Sequence, residues 1–234
     1  MTKKRNLTTF MIAIMIMLFS LPVNAEGTVG YAEFKGSTLT FYGGESVPDG
    51  DYALNTGSNN PSWYDSRGSV AKVVFDESFK DVRPTSCYRW FCAFTQLTTI
   101  KGIENLNTEE VTNMSEMFKD CSGLTSLDLS SFNTANVKDM TYMFYNCQDL
   151  TTIYVSDDFT IGNVTYGLNM FSGCSNLIGA TSYSNSGITD KSMANYKTGY
   201  FTKSNLTPYV KWDANTKVLT FKVGSWGKVH WFTL

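Results

Sequence analysis

The chain has 234 residues, a formal net charge of −2 and an aromatic content of 15%. Basic residues are not clustered, which argues against nucleic acid as a partner. No hydrophobic segment beyond Ala25 suggests a membrane span. The aromatic content allows a sizeable core in one elongated domain.

The segment 1–25 predicts a cleavable secretory signal peptide. A basic start over 3–5 precedes an apolar run over 10–21, and small residues precede the expected cleavage point after Ala25. An uncleaved membrane anchor is the alternative, but the apolar run is shorter than the roughly 20 residues that span a bilayer. Cleavage leaves 16 basic and 21 acidic residues, a net charge of −5. We expect the mature chain to be secreted or held at the cell surface.

Residues 26–86 are predicted to form a β-rich N-terminal cap. Two alternating runs, 31–34 and 38–42, flank Lys35 and Gly36, which is typical of a β-hairpin. A strongly β-prone run over 70–75 leads into the next region. We expect it to cover the apolar end of the repeats that follow.

Residues 87–203 contain a repeat of nearly constant length. A Met-Phe pair recurs, a cysteine follows three residues later, and a leucine follows three residues after that. Trp90-Phe91 stands one period before the first pair, which indicates an earlier, degenerate unit. The predicted buried column consists of Met117, Phe118, Cys121, Met143, Phe144, Cys147, Met170, Phe171 and Cys174.

The pattern inside each unit predicts an α/β repeat solenoid of leucine-rich-repeat type. The Leu-x-x-Leu-x-Leu section is typical of a short strand, and the Val-x-x-Met-x-x-Met-Phe section is typical of a short helix. Single-residue insertions after Ile100 and Val155 lie beside the strand, where a turn absorbs them. Gly167 replaces a methionine, so we expect looser packing in that unit.

The five cysteines leave two interpretations open. An exported chain invites disulfides, but the side chains of a repeat column point in parallel directions. We therefore expect free, buried thiols in the column. Cys87 and Cys92 flank four residues ahead of the first full unit, where they either pair or remain free.

Residues 204–234 are predicted to form a β-hairpin. The runs 209–212 and 218–221 mirror 31–34 and 38–41, as expected at the start of an incomplete second module. A purpose-built C-terminal cap is the alternative. The aromatic tail is expected either to pack near Tyr200 and Phe201 or to promote self-association.

The chemistry-bearing residues do not form a catalytic arrangement. The one histidine, His230, lies near the C-terminus, so no Ser-His-Asp or Cys-His arrangement is available in the body of the chain. There is no metal-binding or phosphate-binding motif. We expect no enzyme activity, no cofactor and no metal.

Several segments together resemble the BspA-like leucine-rich repeat surface proteins of bacteria. They are the runs 72–79, 102–108, 114–118, 127–130 and 199–202, and the likeness extends from about residue 31 to residue 202. The resemblance implies an exported surface protein, and several members of that family act as adhesins for host matrix proteins or other cells. It supplies no catalytic residues.

These observations predict a protein-binding module, with adhesion to a host matrix or cell-surface protein as its role. A structural spacer or assembly unit is one alternative. A carbohydrate-binding module that uses Trp63, Tyr64 and Tyr183 is another. The predicted ligand contacts are outward-facing strand positions: Thr99, Lys101, Ser126, Asp128, Thr152 and Tyr154.

Overall fold

The computed structural model describes residues 27–204 and the backbone of 209–213 and 218–222. The predicted signal peptide and His230 lie outside the described residues. The strands are β1 (Val29–Lys35), β2 (Thr38–Gly44), β3 (Tyr52–Ala53), β4 (Lys72–Phe75), β5 (Thr99–Lys101), β6 (Ser126–Leu129), β7 (Thr152–Val155), β8 (Thr202–Lys203), β9 (Tyr209–Asp213) and β10 (Val218–Lys222). Short 3-10 helices span Tyr64–Ser69, Glu77–Asp81, Ile103–Asn105 and Lys191–Met193.

The strands belong to three sheets. The first is mixed and has the order β3-β1-β2-β4-β5, with β1 and β2 forming an antiparallel hairpin through the left-handed Gly36. The second is parallel and has the order β6-β7-β8. The third is the antiparallel hairpin of β9 and β10, in which Lys222 pairs with Tyr209.

Four equivalent segments, 86–94, 113–121, 139–147 and 166–174, lie side by side, and we call them the turn ladder. Parallel bridges join Ser86 to Asn113, Asn113 to Asp139, and Asp139 to Tyr166. Alternate N–H groups donate to the next segment, and most of the N–H groups between them donate three residues back within their own segment. The N–H groups of Tyr88, Ser115 and Thr141 instead donate to a side-chain oxygen two residues back. Each segment is therefore a run of tight turns that hydrogen-bonds to its neighbour.

The prediction of an α/β repeat solenoid is wrong. The structure is mostly sheet and turn, its strands are divided among separate sheets, and the described residues contain no α-helix. The predicted helical section contains left-handed residues at every fourth position, such as Glu116 (φ 56°) and Asp120 (φ 58°). Left-handed backbone interrupts a right-handed helix, and the N–H of Phe118 bonds to the carbonyl of Met143 at 2.9 Å instead of four residues back.

The core runs along the inside of the turn ladder. All nine residues of the predicted column are buried, together with Phe91 and the leucines that follow each cysteine. The Phe118 and Phe144 rings stack at 5.7 Å, and the Phe144 and Phe171 rings stack at 5.5 Å. Offset ring pairs at this separation add to the stabilisation from burial.

The expectation of looser packing at Gly167 is also wrong. Gly167 is buried, and a Cβ at this position would lie 2.6 Å from the Cβ of Lys191. The Lys191 amine donates to the carbonyl of Val164, so the aliphatic part of Lys191 fills the space that a methionine occupies in the preceding units. Glycine is required here because another segment uses the volume.

The two ends of the turn ladder differ. At the N-terminal end the indole N–H of Trp63 donates to the carbonyl of Trp90 at 2.8 Å, and the Asn55 amide donates to the carbonyl of Tyr88 at 3.2 Å. At the C-terminal end, Tyr200 and Phe201 pack edge-on against Phe171. Within the described part of the chain, no helix has the length and apolar character needed to cross a membrane.

Candidate ligand-binding face

The exposed face of the β6-β7-β8 sheet carries four of the six predicted contact residues. The parallel register places Ser126 beside Thr152 and Asp128 beside Tyr154, while Leu127, Leu129, Ile153 and Val155 point into the core. Tyr154 is the large residue of this face, with 39% of its surface exposed. The alternation of buried and exposed residues along each strand thus brings two polar pairs to the surface.

The other two predicted residues lie in a different sheet. Thr99 and Lys101 are exposed on β5, which pairs with β4 and forms the edge of the first sheet. The chain leaves β5 through Gly102, whose φ of 69° suits glycine, and a Cβ there would lie 2.2 Å from the carbonyl oxygen of Phe75. After Gly102 the chain forms the 3-10 helix Ile103–Asn105. The strand of the first repeat, β5, thus belongs to a different sheet from β6 and β7 of the next two repeats.

Sequence reasoning missed a fifth residue of the face, Thr202 on its third strand. Thr202 on β8 pairs with Tyr154 on its other side, so that the tyrosine lies between Asp128 and Thr202. Asp128 also accepts a hydrogen bond from the N–H of Ser130 at 3.0 Å, which fixes its side chain in a turn. Thr202 is distant from Tyr154 along the chain and lies beyond the last Met-Phe unit of the repeat, so the repeat period does not mark it.

A second surface missed by the sequence reasoning lies on the turn ladder. Arg89 binds Glu116 through two hydrogen bonds of 3.0 and 3.1 Å, and Lys119 binds the same carboxylate at 3.1 Å. The Lys119 amine also lies 5.5 Å from the centre of the Tyr142 ring and 5.8 Å from that of Tyr145. Alignment of the units places Arg89, Glu116 and Tyr142 at one equivalent position. Lys119 and Tyr145 share another position, three residues later.

The charged groups of this second surface pair with one another, since Arg89 and Lys119 both bind Glu116. Burial disfavours the charged forms of Arg89 and Lys119, but the hydrogen bonds and charge of Glu116 outweigh it and raise the pKa of both. All three side chains are more than two-thirds buried. The charges are therefore used within the chain, and this surface offers a ligand less free hydrogen-bonding capacity than the strand face.

The cysteines are structural in this arrangement. All five thiols are free and buried, so Cys87 and Cys92 do not pair. Cys121 and Cys147 each donate from Sγ to a phenylalanine carbonyl of the preceding segment at 3.0 Å, and Cys174 does so at 2.9 Å. Burial raises the pKa of Cys174 to about 12 and that of Cys147 well above its ordinary value, which keeps the thiols protonated and unreactive.

The aromatic residues considered for carbohydrate binding do not form one surface. Trp63 is fully buried and packs edge-on against Phe41. Tyr64 is half-buried, with Arg67 over its ring. Tyr183 is half-buried at the other end, where its hydroxyl accepts the N–H of Gly173. These residues offer no shared ring platform for a sugar.

One open depression of about 430 Å³ lies beside the start of β1. It is lined by residues 27–30, 53–56 and 81–85. Over the described ranges, histidine, cysteine and acidic side chains nowhere gather in a group of three that suits a metal ion. The lining of the depression includes none of the six predicted ligand contacts.

Comparison with known families assigns the repeat region. Residues 85–207, a little over half of the chain, match a family model described as "Mycoplasma protein of unknown function, DUF285". The chain belongs to the DUF285 family. No curated protein and no solved structure matches it.

The DUF285 match coincides with the part of the structure that repeats. It begins one residue before Ser86, the first residue of the turn ladder, and it includes β5 to β8. It excludes the hairpin of β1 and β2. The exposed face with Tyr154 thus belongs to the DUF285 region itself.

Proposed function

We propose that this DUF285 protein is an exported bacterial surface protein that binds a host matrix or cell-surface protein and thereby serves in adhesion. The observation that carries the proposal is the exposed face of β6-β7-β8, where a tyrosine stands in the middle strand among polar neighbours. The resemblance to BspA-like surface proteins and the sequence of the segment 1–25 support the surface location.

The chemistry of the face suits a protein ligand. Tyrosine is enriched at protein interfaces because it contributes a large apolar area and a hydroxyl while losing little conformational entropy. Asp128 and Ser126 on one side of Tyr154 and Thr202 on the other supply acceptors and donors around this ring. A central aromatic residue with a polar surround is the usual arrangement of a binding hot spot.

The size of the face sets the expected affinity. Three strands of at most four residues cover about 15 by 13 Å, or on the order of 200 Å². A stable protein interface buries about 800 Å² on each partner. A single copy should therefore bind weakly unless the ligand also contacts Thr99 and Lys101 on β5, and display of many copies on a cell would raise the avidity.

An array of matrix proteins, mucins and glycans tests the proposal. The mature chain, residues 26–234, is applied both as a monomer and as a streptavidin-linked tetramer. We expect the tetramer to bind one or more proteins with an apparent affinity at least about 100-fold above that of the monomer. Binding confined to glycans would favour the carbohydrate-binding alternative, and binding to no array component in either form would contradict the proposal.

A further inference from the structure

The depression beside the start of β1 has one wall in which buried and exposed residues alternate. Val82 and Pro84 are buried. Asp81, Arg83 and Thr85 are exposed. The backbone of Val82 is extended, with φ −75° and ψ 139°, so that Asp81 and Arg83 lie about 6.6 Å apart with their side chains on one side of the chain. A carboxylate, a guanidinium and a hydroxyl thus follow one another along this wall.

The two charged groups of this wall have no ionic partner within residues 27–204. Asp81 and Arg83 form no ion pair with each other or with any other residue of that range. Arg83 donates from Nη1 to the carbonyls of Lys80 at 2.8 Å and Val82 at 3.2 Å, which fixes its guanidinium. Its Nε and Nη2 groups have no acceptor in the same range. A fixed guanidinium with two free donors is prepared to bind a carboxylate through two hydrogen bonds.

Both walls of the depression are attached to the turn ladder. On one wall, the buried Asn55 amide donates to the carbonyl of Tyr88 at 3.2 Å, and its oxygen accepts the indole N–H of Trp90 at 2.7 Å. On the other wall, the carbonyl of Thr85 accepts the N–H of Thr112 at 3.0 Å. The depression is therefore formed before any ligand arrives, and its volume of about 430 Å³ lies within the range of small-ligand sites.

Apolar side chains line the depression between these walls. Gly30 is buried, and a Cβ at this position would lie 2.4 Å from Cδ1 of Leu54 and 2.6 Å from Cγ1 of Val82. Leu54 and Val82 therefore pack directly over the backbone of β1, and both contribute to the lining. The depression thus combines apolar contacts with one acidic and one basic group, which is the combination that an amino acid with an apolar side chain requires.

We propose that this depression binds a free α-amino acid with an apolar side chain. The α-carboxylate accepts hydrogen bonds from Nε and Nη2 of Arg83, and the α-ammonium group pairs with Asp81. The side chain of the ligand contacts Leu54 and Val82. Because Asp81 and Arg83 are exposed to water, each ion pair contributes little, and the expected dissociation constant is on the order of 1 mM. The site is separate from the strand face around Tyr154.

Titration of the mature chain, residues 26–234, with L-leucine tests the proposal by NMR. We expect saturable changes in the amide chemical shifts of Gly30, Leu54 and Val82, with a dissociation constant on the order of 1 mM. N-acetyl-L-leucine lacks the ammonium group and L-leucinamide lacks the carboxylate, so each should bind about fivefold more weakly. The absence of saturable changes up to about 20 mM L-leucine would overturn the proposal. Equal affinity for L-leucine and either derivative would equally overturn it.

Two substitutions test the charged groups independently. Arg83→Gln and Asp81→Asn should each weaken L-leucine binding about fivefold. The matched control Arg67→Gln should leave the affinity unchanged, since Arg67 pairs with Asp65 outside the depression. The Asp81 side chain makes no hydrogen bond or ion pair within residues 27–204, so Asp81→Asn keeps the fold even if loss of the Arg83 hydrogen bonds does not. Unchanged affinity of the Asp81→Asn chain would overturn the proposal. Tyr154→Ala should leave L-leucine binding unchanged, so this site and the strand face are tested separately.

Discussion

Removing the ring of Phe144 tests the packing along the turn ladder. Phe144 is fully buried, stacks on Phe118 and Phe171, and meets Phe201 edge-on at 6.2 Å. Replacement of a buried phenylalanine by alanine typically costs about 3–5 kcal/mol. The two stacked pairs place Phe144→Ala in the upper half of this range, because each contributes about 0.5–1.5 kcal/mol beyond area burial.

Urea denaturation followed by far-UV circular dichroism measures this loss as a change in the free energy of unfolding. The control Tyr154→Ala removes an exposed aromatic ring from β7 and should change the free energy by about 0.5 kcal/mol or less. Phe144→Leu conserves most of the volume and should cost less than about 1.5 kcal/mol. A loss below about 1 kcal/mol for Phe144→Ala would refute the stacked core.

Three further predictions concern the backbone and the thiols. Ala93→Gly should raise the free energy of unfolding by up to about 1 kcal/mol because Ala93 has a φ of 60°; Ala135→Gly, outside the left-handed region, should lower it by a similar amount. Gly167→Ala should lower the free energy of unfolding by about 1–3 kcal/mol, because the added methyl group collides with Lys191. An unchanged melting temperature would contradict that close approach. Burial raises the pKa of Cys174 from 9.0 to about 12. The buried thiol should therefore contribute fully to the free energy of unfolding below pH 9, and this contribution should fall as the pH rises from 9 to 12. Cys174→Ala should then lose stability less steeply over that range in urea titrations.

The periodicity of the sequence located the buried rows but assigned the wrong backbone to them. Apolar residues at intervals of three or four indicate a helical turn, but a run of tight turns that each end in a left-handed residue produces the same spacing. Only some of those residues, such as Asp120 and Asn146, favour left-handed backbone. Glu116 and Tyr142 do not, so nothing in the local sequence separated the two structures.

The candidate face was only partly predictable for a related reason. Alternation along β6 and β7 identified Ser126, Asp128, Thr152 and Tyr154 as outward-facing. The assignment of Thr99 and Lys101 to another sheet depends on Gly102, whose approach to the carbonyl of Phe75 is a tertiary contact. Lys191 beside Gly167 is a second such case. Contacts between distant segments decide both, and a repeat pattern does not encode them.

The comparison of two exposed tyrosines is the most direct test of the binding face. Tyr154 lies at its centre, and Tyr166 lies on the last segment of the turn ladder, where 64% of its surface is exposed. For a protein captured on the array, surface plasmon resonance should show that Tyr154→Ala raises the Kd about 30-fold, the loss expected of a hot-spot residue. Tyr166→Ala should leave the Kd within about twofold of the unsubstituted chain. Equal affinities for the Tyr154→Ala and unsubstituted chains would show that the ligand binds elsewhere and would contradict the account.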